Sequence, residues 1–423
     1  NYSHFQELLD KHSSDNPLMI YQFIYSLLNQ AILLPITADT QDTALTIFST
    51  LNDRGLPLSD ADIFKAKIYN HLEGKDKEIF IERWKELDEQ ATAANESIQQ
   101  LFYYYMFYLR ALEKDTKSTT PGVRKYYSSN KFERLYQSEL LDNLFVMIEL
   151  WKVINKGEVL EDESWSSNIK IKQTLDTLTS YPNEFWKYPV IIYYICYRKD
   201  KNFEDKFARF LNKLLAELMT KYILIPTINA VKGDILKLNS AIVVSDIPKF
   251  DFKELDQAQL EAGIQNPHRN VVRMLLKTLA YKHQDSLLPS KWEIEHIFPQ
   301  KWQTNYFIDE SDHKIREKIE HIGNKLPFEK KLNIIAGNGY FAKKKKEYAA
   351  SKIEITKFMG LSEIQEWNLE SISKRDIRIS DSIIAILKKW NKEYSVITKE
   401  IVSNKPSDED LARIAEFKEK GWI

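Results

Sequence analysis

Glycine is scarce in this chain, and this scarcity limits the folds that the chain can form. Only 11 of 423 residues are glycine, whereas leucine, isoleucine, lysine and glutamate are abundant. Tight turns depend on glycine, so a sheet of many strands joined by short hairpins is disfavoured. Long helices need few such turns. The sequence therefore predicts a mainly α-helical fold with a multi-helix middle region.

Charge and cysteine content narrow the function classes. The chain has 60 basic and 61 acidic residues, so a nucleic-acid surface has to be a local patch. The single cysteine, Cys196, excludes an internal disulfide and a cysteine-rich zinc site, and its apolar neighbours indicate a buried bystander. No apolar run approaches membrane-spanning length. We therefore expect a cytoplasmic protein without a membrane partner; a homo-oligomer is one option.

Pattern changes along the chain predict four regions. Because residue 1 is Asn rather than Met, we expect the numbered chain to be part of a longer polypeptide. The aromatic run Leu101–Leu109 indicates the core of a helix bundle, with a base-stacking platform as the alternative. The predicted regions are a truncated N-terminal domain at 1–76, a helical domain at 77–285, a small domain at 286–375 and a C-terminal helical extension at 376–423.

The small domain contains the pattern strand, loop, strand, helix. The segment Ile294–Ile297 is partly β-branched and is followed by Pro299, which suits a strand that enters a loop. This order is typical of a ββα-metal finger. The further predicted elements are a polar loop to about Glu320, a strand at Lys325–Phe328, and helices at Lys330–Ile335 and Tyr340–Lys352.

The residues around this pattern suit phosphodiester hydrolysis, which needs an activated water and charge relief on the phosphate. His296 is the candidate general base, because histidine titrates near neutrality. Glu295 and Asn333 are candidate oxygen ligands for one Mg²⁺ or Mn²⁺, with Asn338 as an alternative to Asn333. Asn324 is the candidate to brace the loop and orient the imidazole.

One geometric condition applies to the adjacent pair Glu295 and His296. Neighbouring residues on a regular strand face opposite sides. Both side chains can serve one site only if the strand ends or twists there. Pro299 makes an early end of the strand plausible.

The ordered motifs resemble the C-terminal nuclease domain of GmrSD-type, modification-dependent (type IV) restriction enzymes, part of the HNH or His-Me finger superfamily. The resemblance covers Lys291 to Arg375. It implies a metal-dependent endonuclease that cleaves DNA, modified phage DNA in particular, in an antiphage system. It also implies the base role of His296, ligation by Glu295 and Asn333, and bracing by Asn324. The motifs are Ile294–Gln300, Ile322–Leu326, Glu329–Ile334 and the spaced set Asn338, Phe341 and Lys344.

At two places the sequence departs from the pattern of this family, and each departure leaves an alternative function open. Pro327 interrupts the second predicted strand, which favours a DNA-binding modification sensor with a weak or inactive nuclease fold as the alternative function. Near the N-terminus, Phe48–Leu58 is similar to the last motif of the family's ParB-like domain. That similarity implies nucleotide binding by Asn52, Arg54 and Gly55, with a turn-forming role as the alternative. The family's Asp-Gly-Gln-Gln-Arg motif does not occur in this sequence, so NTP is expected only in the intact protein.

A local basic patch follows the second strand. Residues 325–357 contain nine lysines and three glutamates, a difference of +6. Beside a nuclease site such a patch suits phosphate contacts, which position DNA without reading its sequence; a solvated helix face is the alternative. The lysines predicted to contact DNA are Lys325, Lys330, Lys331, Lys344 and Lys345.

Overall fold

The structure is a computed structural model, and it describes residues 2–32, 37, 43, 59–252, 256–302 and 311–403. The chain divides into two compact units, Asn1–Ser59 and Asp60–Ile423. In the described residues helix greatly exceeds strand, which confirms the mainly α-helical prediction. None of the helices in the described ranges is both long and apolar enough to cross a membrane.

The first unit contributes two helices to the described residues, α1 (Tyr2–Asp15) and α2 (Ile20–Gln30). They touch through His12 and Phe23, whose ring centroids lie 5.3 Å apart. The nucleotide-binding candidates Asn52, Arg54 and Gly55 lie outside the described residues. Their role stays a prediction.

The middle of the second unit is a bundle of helices. Short 3-10 or π turns join some of them at Ser129–Leu135, Lys152–Lys156, Ser164–Ser166 and Ile228–Val231. The helices are α3 (Asp60–His71), α4 (Lys75–Ala93), α5 (Ile98–Leu112), α6 (Val123–Ser128), α7 (Leu140–Trp151), α8 (Ile169–Leu178), α9 (Lys187–Tyr197), α10 (Phe203–Leu224), α11 (Lys232–Ile242), α12 (Gln257–Gln265) and α13 (Val272–His283).

The aromatic run of α5 forms core, as predicted. Ser97 caps the helix by accepting a hydrogen bond from the backbone N–H of Gln100. Phe102, Tyr104 and Phe107 are buried against neighbouring helices, so their faces are not available for base stacking. On α9, burial raises the pKa of the Cys196 thiol to about 11, which keeps it protonated at neutral pH.

A two-stranded antiparallel sheet follows the bundle. Strand β1 (Trp292–His296) pairs with β2 (Lys325–Glu329), and His296 lies opposite Lys325. Pro327 does not interrupt β2; it pairs opposite Ile294. A strand in a two-stranded sheet has one unpaired edge, where a proline is tolerated.

The region between the strands differs from the prediction. The polar loop expected to run to about Glu320 contains a helix, α14 (Asp312–Ile319). Ser311 caps it by accepting from the Lys314 backbone N–H. Ile315 and Ile319 are buried one helical turn apart, and this apolar spacing stabilises the helix despite its polar composition.

Four helices follow β2 in the chain. They are α15 (Lys330–Ala336), α16 (Phe341–Ala349), α17 (Glu354–Leu361) and α18 (Leu369–Ser403). Gly337 adopts φ 57° and ends α15, as the predicted break required. The predicted boundary at 375/376 falls inside α18, which packs against α10, α12, α13, α14 and the 3-10 turn Ile322–Asn324.

Candidate active site

One cavity of about 270 Å³ at the end of the sheet collects four of the five predicted catalytic and metal-binding residues. Glu295 and His296 reach it from β1, whereas Asn333 reaches it from α15. Strand β1 ends at His296, so the geometric condition on the adjacent pair is met. The lining residues are Ile294, Glu295, His296, Gln300, Asn333, Gly337, Asn338 and Lys344.

His296 is largely buried and faces an acidic residue that the sequence did not single out. Its Nε2 lies 3.6 Å from Oε1 of Glu320, a distance for ion pairing rather than hydrogen bonding. Among the described residues, Nε2 has no hydrogen-bond partner. The Lys325 ammonium holds Glu320 from the other side at 2.9 Å. The imidazole of His296 and the ammonium of Lys325 lower the pKa of Glu320 to about 2.

Glu295 is held by two donors on α16. Its Oε1 accepts hydrogen bonds from Lys344 Nζ and from the Tyr348 hydroxyl, each at 2.6 Å. Lys344 also donates to the backbone carbonyl of His296 at 2.7 Å. Burial and the Glu295 carboxylate raise the pKa of Tyr348 well above its usual range, so its phenol stays a donor. No hydrogen bond to Oε2 of Glu295 is made by the described residues.

Asn333 is oriented by a carboxylate that the sequence reasoning missed. Its Nδ2 donates to Oε2 of Glu293 at 3.1 Å, and Glu293 also pairs with Lys330 at 3.4 Å. This contact fixes which way the amide points. Its carbonyl oxygen, Oδ1, accepts no hydrogen bond from the part of the chain that is described. Alternation along β1 puts Glu293 and Glu295 on one face, a signal that the sequence contained.

Asn338 makes different contacts. Its Nδ2 donates to the carbonyl of Lys301 at 2.7 Å, and its Oδ1 accepts from the Lys301 backbone N–H at 3.4 Å. The oxygen that a metal would need is therefore already an acceptor. This geometry favours Asn333 over Asn338 as an oxygen ligand.

Asn324 is fully buried and ties together the two chain segments that form the site. Its Oδ1 accepts from the Phe298 backbone N–H at 2.7 Å, and its Nδ2 donates to the carbonyls of Phe298 and Ile319, each at 3.1 Å. Its own carbonyl accepts from the backbone N–H of Ile297 at 2.9 Å. The side chain braces the segment after His296 rather than bonding the imidazole.

The long helix α18 forms hydrogen bonds with the turn that carries Asn324. Arg375 donates to the carbonyls of Gly323 and Lys325 at 2.7 and 2.9 Å. The Asp376 carboxylate accepts from the Gly323 backbone N–H at 2.7 Å. These residues are separated from the turn by about fifty positions in the chain, so the sequence offered no local signal for the contact.

The close approach of α18 requires glycine at position 323. A Cβ there would lie 2.3 Å from the Ile372 carbonyl and 2.6 Å from Oδ1 of Asp376. We expect Gly323→Ala to destabilise the domain by about 1–3 kcal/mol, because backbone has to move. Thermal unfolding measures the loss. The control, Gly233→Ala on α11, places its Cβ in open space and should not destabilise; equal stability of the two variants would contradict the close contact.

The basic patch needs correction at two of its lysines. Lys325 and Lys344 are not solvated; both are buried, and their ammonium groups pair with Glu320 and Glu295. A run of four lysines on a helix sends its members in different directions, so Lys344 points inward. Lys345 donates to the backbone carbonyls of Ser362 and Ile364.

The two remaining patch lysines reach solvent. Lys330 is half-exposed beside Glu293, and Lys331 is exposed on the same turn of α15. They remain the better placed of the five lysines for contact with a polyanion.

The donor set fits a single hard cation held by few protein groups. No cluster of three or more His, Cys, Asp or Glu side chains with metal-binding geometry occurs within the described ranges. Oε2 of Glu295 and Oδ1 of Asn333 are oxygens without hydrogen bonds from those ranges, on residues that line the same cavity. Mg²⁺ prefers such a site, in which one or two protein oxygens leave positions for water and phosphate.

A comparison with known protein families finds a match to the part of the chain that contains the site. Residues 250–381 match the model of the family described as GmrSD restriction endonucleases, C-terminal domain, which supports a restriction-endonuclease domain in this part of the chain. More particularly, the stretch that matches this GmrSD-type C-terminal domain contains both strands, Asn324 and Asn333. This family implies DNA as the substrate. The ParB-like similarity at Phe48–Leu58 lies outside the match and stays a prediction. No curated protein matches the chain.

Proposed function

We propose that the domain is a metal-dependent DNA endonuclease, of the HNH type, in an antiphage, modification-dependent restriction system. The observation that carries this proposal is the shared cavity of His296, Glu295 and Asn333 inside the matched domain. The cytoplasm is the proposed location, because such a system meets phage DNA there. Use of NTP is proposed only for the intact protein.

In this proposal Glu295 and Asn333 would hold one Mg²⁺ or Mn²⁺, with Oε2 and Oδ1 as the oxygens that are available to it. When bound, the ion relieves charge on the phosphate and stabilises the leaving oxygen. With Nε2 of His296 turned toward Glu320, Nδ1 is the nitrogen that takes a proton from the attacking water. The Glu320 carboxylate stabilises the imidazolium that forms. The water oxygen then bonds to phosphorus as the bond to the leaving oxygen breaks.

Asn324 serves this chemistry indirectly. By holding both backbone groups of Phe298, it fixes the segment that follows His296. A general base has to lie within hydrogen-bond reach of the proton that it removes, so displacement of this segment would lower the rate.

The cleavage assay tests the metal requirement. Purified chain is incubated with supercoiled plasmid and with phage DNA that carries modified bases, in Mg²⁺, in Mn²⁺ or in EDTA. We expect nicking only with a divalent ion, and more of it on modified DNA. Undiminished cleavage in EDTA would contradict the metal role, and equal cleavage of both DNAs would contradict modification dependence.

The exposed lysines give a separate prediction for DNA binding. The double variant Lys330→Ala/Lys331→Ala should bind DNA more weakly, with a slope of log affinity against log salt smaller by about 2. Fluorescence anisotropy at several salt concentrations measures that slope. Lys85→Ala on α4, a side chain 79% exposed, is the matched control. A slope equal to that of the control would show that these lysines do not touch phosphate.

A DNA-binding modification sensor with weak or no cleavage is the second candidate. The observation that favours it is the buried pair of Lys344 and Glu295, because the carboxylate meant for metal is already neutralised. Calorimetry separates the two functions. DNA affinity without any divalent-ion binding, in the presence or absence of DNA, would favour the sensor.

A further inference from the structure

Every carboxylate described around the cavity is paired with one lysine. Glu295 pairs with Lys344 at 2.6 Å, Glu320 with Lys325 at 2.9 Å, and Glu293 with Lys330 at 3.4 Å. Three negative charges thus meet three positive charges. With His296 neutral, the described site has no excess negative charge to offer a dication.

The pair of Glu295 and Lys344 differs from the other two in its burial. Side-chain exposure is 7% for Glu295 and 2% for Lys344, so both members of this pair are buried. In the other two pairs at least one member is exposed: Lys325 is 5% exposed but Glu320 is 52% exposed, and Glu293 and Lys330 are each at least 40% exposed. Solvent and salt screen exposed pairs strongly and buried pairs much less. The Lys344 ammonium is therefore the positive charge that a metal at Glu295 would experience most.

Lys344 is also held in place. Its Nζ bonds both Oε1 of Glu295 and the His296 carbonyl, and Tyr348 shares the same carboxylate oxygen. Moving the ammonium away would leave a buried carboxylate with one neutral donor, which is costly. A metal at this site therefore adds to the lysine rather than replacing it.

We propose that Lys344 is an internal counter-ion of Glu295 that keeps the domain's own affinity for divalent ions low, so that metal and DNA bind together. This inference rests on the proposed metal role of Glu295. A dication added to the neutral site leaves an excess of two positive charges, which the phosphates of bound DNA offset. Metal bound without DNA has no such compensation.

The coupling can be measured in the cleavage-deficient variant His296→Ala, which keeps the DNA intact. Mn²⁺ affinity is determined by titration calorimetry with and without a short duplex DNA. We expect DNA to tighten Mn²⁺ binding by about tenfold or more, within the usual range for coupled sites. A change of less than twofold would overturn the inference, and this measurement needs no substitution at Lys344.

The role of the Lys344 charge is tested by adding the substitution Lys344→Met to the His296→Ala variant. Without DNA, this variant should bind Mn²⁺ about tenfold more tightly, because the repelling ammonium is gone, and DNA should add little further. Tyr348→Phe removes one hydrogen bond from the same oxygen without changing charge, so its Mn²⁺ affinity should stay within about threefold. An unchanged affinity in Lys344→Met, or an equal gain in Tyr348→Phe, would overturn the role of the charge.

These results separate the inference from the function on which it rests. Mn²⁺ that binds tightly without DNA and cleavage that still depends on His296 would overturn the coupling alone. No Mn²⁺ binding with or without DNA would overturn the metal role of Glu295 and, with it, both proposals.

Discussion

Replacing His296 with alanine should lower the rate of DNA nicking by about 10²- to 10⁴-fold, the usual contribution of a positioned general base. The imidazole lies at the end of β1, where it lines the cavity beside Glu295. DNA affinity should change little, because phosphate contact is assigned to the lysines of α15. Plasmid nicking at saturating DNA measures the rate, and anisotropy measures the affinity.

A matched substitution separates this loss from a general effect of removing a histidine. His313→Ala changes an exposed histidine on α14 in the same domain. That variant should nick plasmid at the wild-type rate. If His296→Ala nicked as fast as His313→Ala, His296 would not be the base.

Removing the Asp376 carboxylate should cost about 3 kcal/mol of the free energy of unfolding, the scale for breaking a buried charged network. Asp376 is 1% exposed and accepts hydrogen bonds from Lys318, His321 and the backbone of Gly323. Asp376→Ala leaves these donors without their acceptor. The variant should also lose cleavage, because the turn that positions Asn324 loosens.

Urea unfolding of Asp376→Ala measures the stability loss. Asp381→Ala, on the same helix but exposed, is the control and should stay within about 0.5 kcal/mol of the wild type. A loss in Asp376→Ala no greater than that of Asp381→Ala would show that α18 does not hold the turn.

Local sequence patterns predicted the elements of the site well, for identifiable physical reasons. The short, partly β-branched run before Pro299 predicted β1, and Gly337 predicted the break between α15 and α16. The strand preference of β-branched side chains and the left-handed backbone of glycine depend on residues close in the chain. Such signals can be recognised in the sequence without knowledge of the tertiary structure.

The partners of the site residues could not be predicted in this way, because they come from distant parts of the chain. The lysine-rich composition of 325–357 predicts a basic patch that includes Lys344, yet helical periodicity turns Lys344 toward Glu295, 49 residues away in the chain. The polar sequence before Lys325 predicts a loop that ends at about Glu320, but Glu320 follows directly on α14, which brings it beside His296. The position of a charged residue in the sequence does not identify the residue with which it forms an ion pair.

The pairing of Lys344 with Glu295 changes the expected state of the carboxylate beside His296. An acid beside a histidine looks like an open metal ligand when read alone. In the fold, one oxygen of that acid is held by Lys344 and Tyr348, and its other oxygen remains for the cavity. The site is therefore organised before any ion arrives.

The location of the metal tests the central claim most directly. Crystals of His296→Ala grown with Mn²⁺ and a short duplex DNA are measured at the manganese absorption edge, where anomalous scattering locates the ion. We predict one strong peak within coordination distance of Oε2 of Glu295 and Oδ1 of Asn333, next to a DNA phosphate. Bound DNA with no peak in this cavity, or a peak at other residues, would contradict the proposed active site.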